Sequence, residues 1–230
     1  PASRRRSLSR FAEAVRTLTP HAAPTRLPCR DKEREEVHAV LRAAVVSGGS
    51  GASLYISGTP GTGKTATVRH SLRLLASEKS LPPFRVLELN GLKLDSPHQV
   101  YTLLWEALTG AHVPPMSACS ALERRFAPAV QRGRKPAMTA RRTPAETLVL
   151  VLDELDYLVT RTQSILYNLF EWAASGGGPL VVVGISNTMD LPERLLPRVH
   201  SRLGIRRVNF LPYTHKEIAS IIADRLDGLD

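Results

Sequence analysis

Cysteine is nearly absent from this chain. Cys29 and Cys119 are the only two among 230 residues, so no disulfide framework holds the fold, and a reducing intracellular compartment is the expected setting. Long apolar runs are missing too: none approaches the roughly 18 residues that a membrane-spanning helix requires. Neither terminus reads as a secretory signal, and the missing initial Met with a helix-like ending at Leu229-Asp230 leads us to expect an excerpt of a longer protein. Acidic charge is also in short supply, with 21 Asp and Glu against 31 Lys and Arg, a formal charge of +10. What remains is ordinary for a globular domain. Hydrophobic residues at 43% and charged residues at 23% exclude wholesale disorder and collagen-like architectures, and the length suggests one to two domains with a substantial core.

The positive excess is confined to two places. Arg4, Arg5, Arg6 and Arg10 contribute +4, and seven basic residues against Glu123 between residues 119 and 142 contribute +6; the rest of the chain is balanced. The internal stretch from Val130 through Arg134-Lys135-Pro136 to Arg141-Arg142 has no apolar period and reads as an exposed loop, either a solvated insertion or a contact for a polyanion. Arg194, Arg198, Arg202, Arg206 and Arg207 form a third basic group, but Pro197 and Gly204 interrupt any helix that would align them.

After an amphipathic opening at Leu8 to Leu18, the periodicity predicts a helix from Asp31 to Val46, then strands alternating with helices. Strands are expected at Ser53 to Ser57, Arg85 to Leu89, Thr147 to Leu152, Leu180 to Ile185 and Val208 to Leu211. Helices are expected at Lys64 to Ala76, Pro97 to Leu108, Ala118 to Val130, Gln163 to Ala173 and Thr214 to Leu226. Such alternation signals an α/β fold, a parallel sheet of five strands with helices on both faces. Leu148 to Leu152 and Leu180 to Val183 are continuously apolar, as central strands buried on both sides should be.

Gly58-Thr59-Pro60-Gly61-Thr62-Gly63-Lys64-Thr65 matches G-x-x-x-x-G-K-[ST] between an expected strand and an expected helix. Its glycines allow backbone conformations in which successive N–H groups converge on phosphate oxygens, and the helix start adds its dipole. Lys64 would reach the β and γ phosphates and Thr65 would ligate Mg²⁺, so a nucleoside triphosphate with Mg²⁺ is the expected ligand. Such a cradle needs an acid at a neighbouring strand end. Asp153 would hold the metal, directly or through water, and Glu154 would polarise the attacking water, unless the two merely cap the next helix. Asp156 and Glu171 read as solvated helix residues. Asn187, after the fourth strand, could hydrogen-bond a nucleophilic water or the γ phosphate, or could be a turn residue.

Taken together, Gly58 to Thr65, Leu152 to Asp156, Ile185 to Thr188 and Ser201-Arg202 resemble the Walker A, Walker B, sensor 1 and arginine-finger elements of AAA+ P-loop ATPases. Longer phrases resemble the largest-subunit family of eukaryotic origin recognition complexes: Leu27 to Arg30, Tyr55 to Gly58, Pro82-Pro83-Phe84, Asn90-Gly91, Pro97 to Tyr101, Tyr167 to Trp172 and Asn187 to Arg194. This resemblance implies a nuclear ATP-binding and hydrolysing subunit of a ring-like complex that binds double-stranded origin DNA, works with the related cell-division-cycle loading ATPase, and indirectly loads the replicative helicase. It implies catalytic roles for Glu154, Asn187 and, in trans, Arg202, with Arg198 as the rival finger. Pro28, Arg30 and Tyr213 resemble segments flanking the adenine. The implied organisation is a basic arm and connector at 1–26, a nucleotide-binding core at 27–212 with the basic insertion near 129–142, and the start of a helical lid at 213–230; most of that lid and the family's winged helix lie outside this sequence. Two alternatives stay open: a nucleotide-dependent assembly module with little turnover, or another AAA+ member such as a clamp-loader subunit.

Overall fold

A computed structural model of the chain describes residues 28–49, 51–127, 146–175, 178–188 and 206–226. The expected arm, the basic insertion, Arg194, Arg198, Arg202 and the final residues lie outside these segments. The described elements are, in order, α1 (Asp31–Val46), β1 (Ser53–Gly58), α2 (Lys64–Ser77), β2 (Phe84–Asn90), α3 (Gln99–Thr109), α4 (Pro115–Phe126), β3 (Thr147–Asp153), α5 (Ser164–Ala174), β4 (Leu180–Ser186), β5 (Arg206–Phe210) and α6 (His215–Leu226). Short 3₁₀ turns, Gly91–Lys93 and Leu155–Leu158, follow β2 and β3.

All five strands are parallel, in the order β2-β3-β4-β1-β5. Alternating side chains divide the core in two. Leu148, Leu150 and Leu152 of β3 with Leu180 and Val182 of β4 face α3, α4 and α5. Val149, Val151, Val181, Val183 and Ile185 face the other way with Leu54, Ile56, Val208 and Phe210, against α1 and α2. Every residue of β1 and β4 is buried, which is why these segments carry apolar side chains on both faces and must run through the middle of the sheet. Helix α1 buries Val37, Leu41, Ala44 and Val45, one stripe of a 3.6-residue period, and its first turn places Asp31 and Glu33 at the positive end of the dipole.

The expected elements are all present, with shifted ends. Helix α3 starts at Gln99 because Pro97 and His98 form a turn, and α4 starts at Pro115, where a fixed φ suits the first helical position, and stops at Phe126. Strand β5 begins at Arg206 instead of Val208, since its pairing with β1 starts at Leu54↔Arg206. Arg206 and Arg207 are therefore strand residues at a sheet edge, where exposed positions tolerate charge. No helix among the described residues is long and apolar enough to cross a membrane.

Parallel order brings the carboxyl ends of β1, β3 and β4 side by side, and the loop after β1 is shaped partly by the sheet. Gly58 lies so close to β5 that a Cβ would collide with the Phe210 carbonyl, whereas a Cβ on Gly61, at φ +78°, would meet open space. Gly58→Ala should therefore lower stability by about 3 kcal/mol, because β1 and β5 must part to admit the methyl. Gly61→Ala should lose only about 1 kcal/mol of backbone strain. Urea denaturation of both variants checks the contrast.

Candidate nucleotide-binding site

The loop from Gly58 to Gly63 leaves β1 and enters α2 through Gly63, whose φ of +90° is left-handed. Glycine is required there because a side chain would be strained in that conformation and would press on the Tyr213 hydroxyl. The Thr62 hydroxyl donates to the Thr59 carbonyl at 2.8 Å, closing the loop on itself.

Lys64 opens α2 yet is only 6% exposed. Its ammonium donates to the carbonyls of Gly58 (2.7 Å) and Thr59 (3.0 Å) and to Asn187 Oδ1 (2.9 Å). Burial pushes its pKa below the usual lysine value, and the nearby carboxylates of Glu154, Asp153 and Asp156 work in the opposite direction. On the adjacent strand ends, the Thr65 hydroxyl donates to Asp153 Oδ2 at 3.0 Å. The Asn187 amide donates to Glu154 Oε2 at 2.6 Å. Asn187 thus turns its oxygen to an ammonium and its nitrogen to a carboxylate, a polarity that fixes which way the amide points.

Asp153 and Glu154 do not serve as side-chain caps. Asp153 ends β3 and accepts from the Glu154 backbone N–H at 3.0 Å, while Glu154 takes a left-handed conformation (φ 54°) that turns the chain into the Leu155–Leu158 segment. Such a conformation is uncommon outside glycine and marks a position held by its surroundings. Gly91 lies beneath: a Cβ there would strike the Glu154 carbonyl.

One expectation fails. Asp156 is not a solvated helix residue but a partly buried acceptor for three donors from the β4 tip: the Ser186 hydroxyl (2.9 and 3.0 Å), the Asn187 backbone N–H (2.9 Å) and the Thr188 hydroxyl (2.6 Å). Tyr55 adds a further tie, donating its hydroxyl to the Thr188 carbonyl at 2.8 Å. The residue types contained a signal for this, since two hydroxyls flank Asn187 and a third acid follows Asp153-Glu154.

Arg30 and Tyr213 meet at the other side of the loop. The Arg30 guanidinium, 4% exposed, stacks on the Tyr213 ring at 4.1 Å from its centroid. It donates to the Thr62 carbonyl (3.2 Å), to the Leu211 carbonyl and to Glu33 (2.7 Å). Its donors thus tie the phosphate loop to the segment leading into α6. Pro28 precedes it by two residues, next to Cys29 at a positive φ of 63°.

Among the described residues no group of three or more His, Cys, Asp or Glu could hold a metal ion unaided. Thr65 and Asp153 nonetheless fit Mg²⁺. Both offer hard oxygens, the donor type that Mg²⁺ takes, and they stand side by side at the mouth of the loop. Magnesium bound this way relies on one or two protein oxygens plus those of a phosphate.

A phosphate loop, an acid pair at the next strand but one, and a polar amide on the strand between them define a P-loop ATPase of the AAA type. The chain belongs to the AAA ATPase domain family, which it matches over residues 26–183. Within that class it is similar to subunit 1 of the origin recognition complex. It is 42% identical over 226 residues to Origin of replication complex subunit 1B of Arabidopsis thaliana, and 44% identical over 212 residues to Origin recognition complex subunit 1 of Schizosaccharomyces pombe. These alignments cover 96% and 90% of this chain but only 27% and 28% of those proteins, so the chain spans about a quarter of their length. A structure of Drosophila ORC bound to DNA superposes with a TM-score of 0.80 at 40% identity, covering 99% of this chain and 53% of that one. The Aeropyrum pernix ORC1 protein in complex with DNA gives 0.68 at 27% identity, over 91% of this chain and 52% of that one.

Arg30→Ala should destabilise the fold by roughly 2 kcal/mol, because the buried Thr62 carbonyl and the partly buried Leu211 carbonyl lose a charged donor. Arg30→Lys should recover little, since one ammonium cannot reproduce a fork spanning both carbonyls. Thermal melting of the two variants tests this.

Proposed function

We propose that this chain is the ATP-binding and ATP-hydrolysing core of a subunit of the replication origin recognition complex. The observation that carries the reading is the hydrogen-bonded run from Lys64 through Asn187 to Glu154, beside the Thr65–Asp153 pair. It supplies a cation, a neutral amide and a base across adjoining strand tips, where ligands of open parallel sheets bind.

In this reading Gly58 to Gly63 wrap the phosphates with backbone N–H groups, and Lys64 exchanges its carbonyl partners for β- and γ-phosphate oxygens. Thr65 and Asp153 hold Mg²⁺, which when bound neutralises charge on those oxygens. Glu154 accepts a proton from the attacking water, and Asn187 orients Glu154 and the γ phosphate. Arg30 and Tyr213, with Pro28, border the base. Arg202, or its rival Arg198, would act on a neighbouring subunit's nucleotide, making turnover depend on assembly.

Similarity to subunits named for origin recognition, over nearly the whole chain, supports a nuclear role with partner subunits of that complex. Likeness to a complex solved on DNA supports contact with duplex DNA. The loading ATPase and the replicative helicase are partners by the same reasoning. The organisation expected from sequence stands as part of the proposal: an arm at 1–26, a core at 27–212 and the start of a lid at 213–230.

In the assembled complex, Lys64→Ala should abolish ATP binding. Glu154→Gln should keep binding and assembly while turnover falls about 10²- to 10⁴-fold. Steady-state hydrolysis with a fluorescent ATP analogue for affinity separates the steps, and wild-type turnover in Glu154→Gln would instead favour an assembly module. Neutralising Arg132, Arg134, Lys135, Arg141 and Arg142 should flatten the salt dependence of DNA binding if these side chains meet phosphates, by nearly one unit of log–log slope per contact. An unchanged slope would assign them to solvent.

A further inference from the structure

We propose that Asp156 is a positioning residue for hydrolysis, acting through Asn187 on Glu154; the proposal rests on the ATPase reading of the same site. Asp156 stands two residues beyond Glu154, on the 3₁₀ turn that Glu154's left-handed backbone initiates. That turn carries its carboxylate back to the tip of β4. There it receives the backbone N–H of Asn187 and the hydroxyls of the residues on either side, Ser186 and Thr188.

A carboxylate suits three converging donors because, when ionised, it only accepts. Ser186 and Thr188 each span one side of the Asn187 backbone, and the Asn187 N–H is fixed between them. The backbone of Asn187 is therefore held from below while its side chain holds Lys64 and Glu154 above. Asp156 makes no hydrogen bond to Lys64 or Glu154; apart from the pull of its charge on Lys64, it reaches them through Asn187. An acid on β3's outgoing turn consequently fixes the amide of β4, which in turn orients the base on β3's end. This closes a loop between two neighbouring strands, Asp156 to Asn187 to Glu154, with the chain itself joining Glu154 to Asp156.

Asp156→Asn retains size but turns an amide NH₂ toward groups that already donate. The expected result in the assembled complex is at least about a tenfold loss of kcat, with affinity for a fluorescent ATP analogue changed by less than about threefold. The discriminating measurement is a cycle with Asn187→Ala. If Asp156 acts through Asn187, the double variant should hydrolyse ATP no more slowly than Asn187→Ala alone, because interdependent residues are not additive. Multiplicative losses, or a kcat unchanged in Asp156→Asn, would overturn the proposal. Should Asp156→Asn fail to fold, Thr188→Val removes one of the three donors and is subject to the same cycle and the same criteria. Glu154→Gln is run in parallel: if it turns over like wild type, the ATPase reading itself is wrong and this role falls with it, whereas loss in Glu154→Gln with none in Asp156→Asn rejects the positioning role alone.

Discussion

The site depends on where a buried ammonium can find partners. Lys64 is held at the junction of two strand tips, taking carbonyls from the end of β1 and an amide oxygen from the end of β4. A charge this far from solvent persists only if satisfied, and each of its partners is fixed by something else. The carbonyls belong to a loop closed by its own Thr62–Thr59 bond, and the amide belongs to a strand tip tied to Asp156 and Tyr55. The same buried apolar strands that make the two halves of the core also set the register of the tips. Core packing and the polar network of the candidate site thus meet in one side chain.

Alternation of charge runs through the centre. Cation, amide and anion follow each other from Lys64 to Asn187 to Glu154, and hydroxyl and carboxylate stand beside them as Thr65 and Asp153. Each group is oriented by its neighbour within the protein itself, the condition under which electrostatic stabilisation of a ligand needs little reorganisation. On the far side, Arg30 performs a different task. It joins the phosphate loop and the segment before α6 through their backbone carbonyls and the first turn of α1 through the Glu33 carboxylate, so the geometry of the loop is linked to the position of the chain after β5.

Much of this was legible in the residues. The glycine-rich loop and its flanks declare themselves because tight backbone turns need glycine and because buried parallel strands are apolar throughout. Asp153 and Glu154 stand out as charges ending such a strand. The role of Asp156 is hidden in the sequence because its partners lie about thirty residues further on: local pattern cannot reveal that a hydroxyl-flanked amide will arrive beside it. The span of Arg30, from Glu33 to Leu211, is hidden for the same reason. The start of β5 is hidden because two charged residues, Arg206 and Arg207, precede its apolar part, yet a sheet edge admits charge without losing its ladder.

The close approach of Gly58 to the Phe210 carbonyl bears on how degenerate copies of such domains should be judged. The first glycine of the loop answers to the joining of two strands, and Gly61 does not. A descendant that had ceased to use nucleotide would still be penalised heavily for losing the former, while the latter could drift at a smaller cost in backbone strain. Persistence of the leading glycine is therefore poor testimony to a living enzyme, and erosion at the middle one is the earlier mark of a pseudoenzyme.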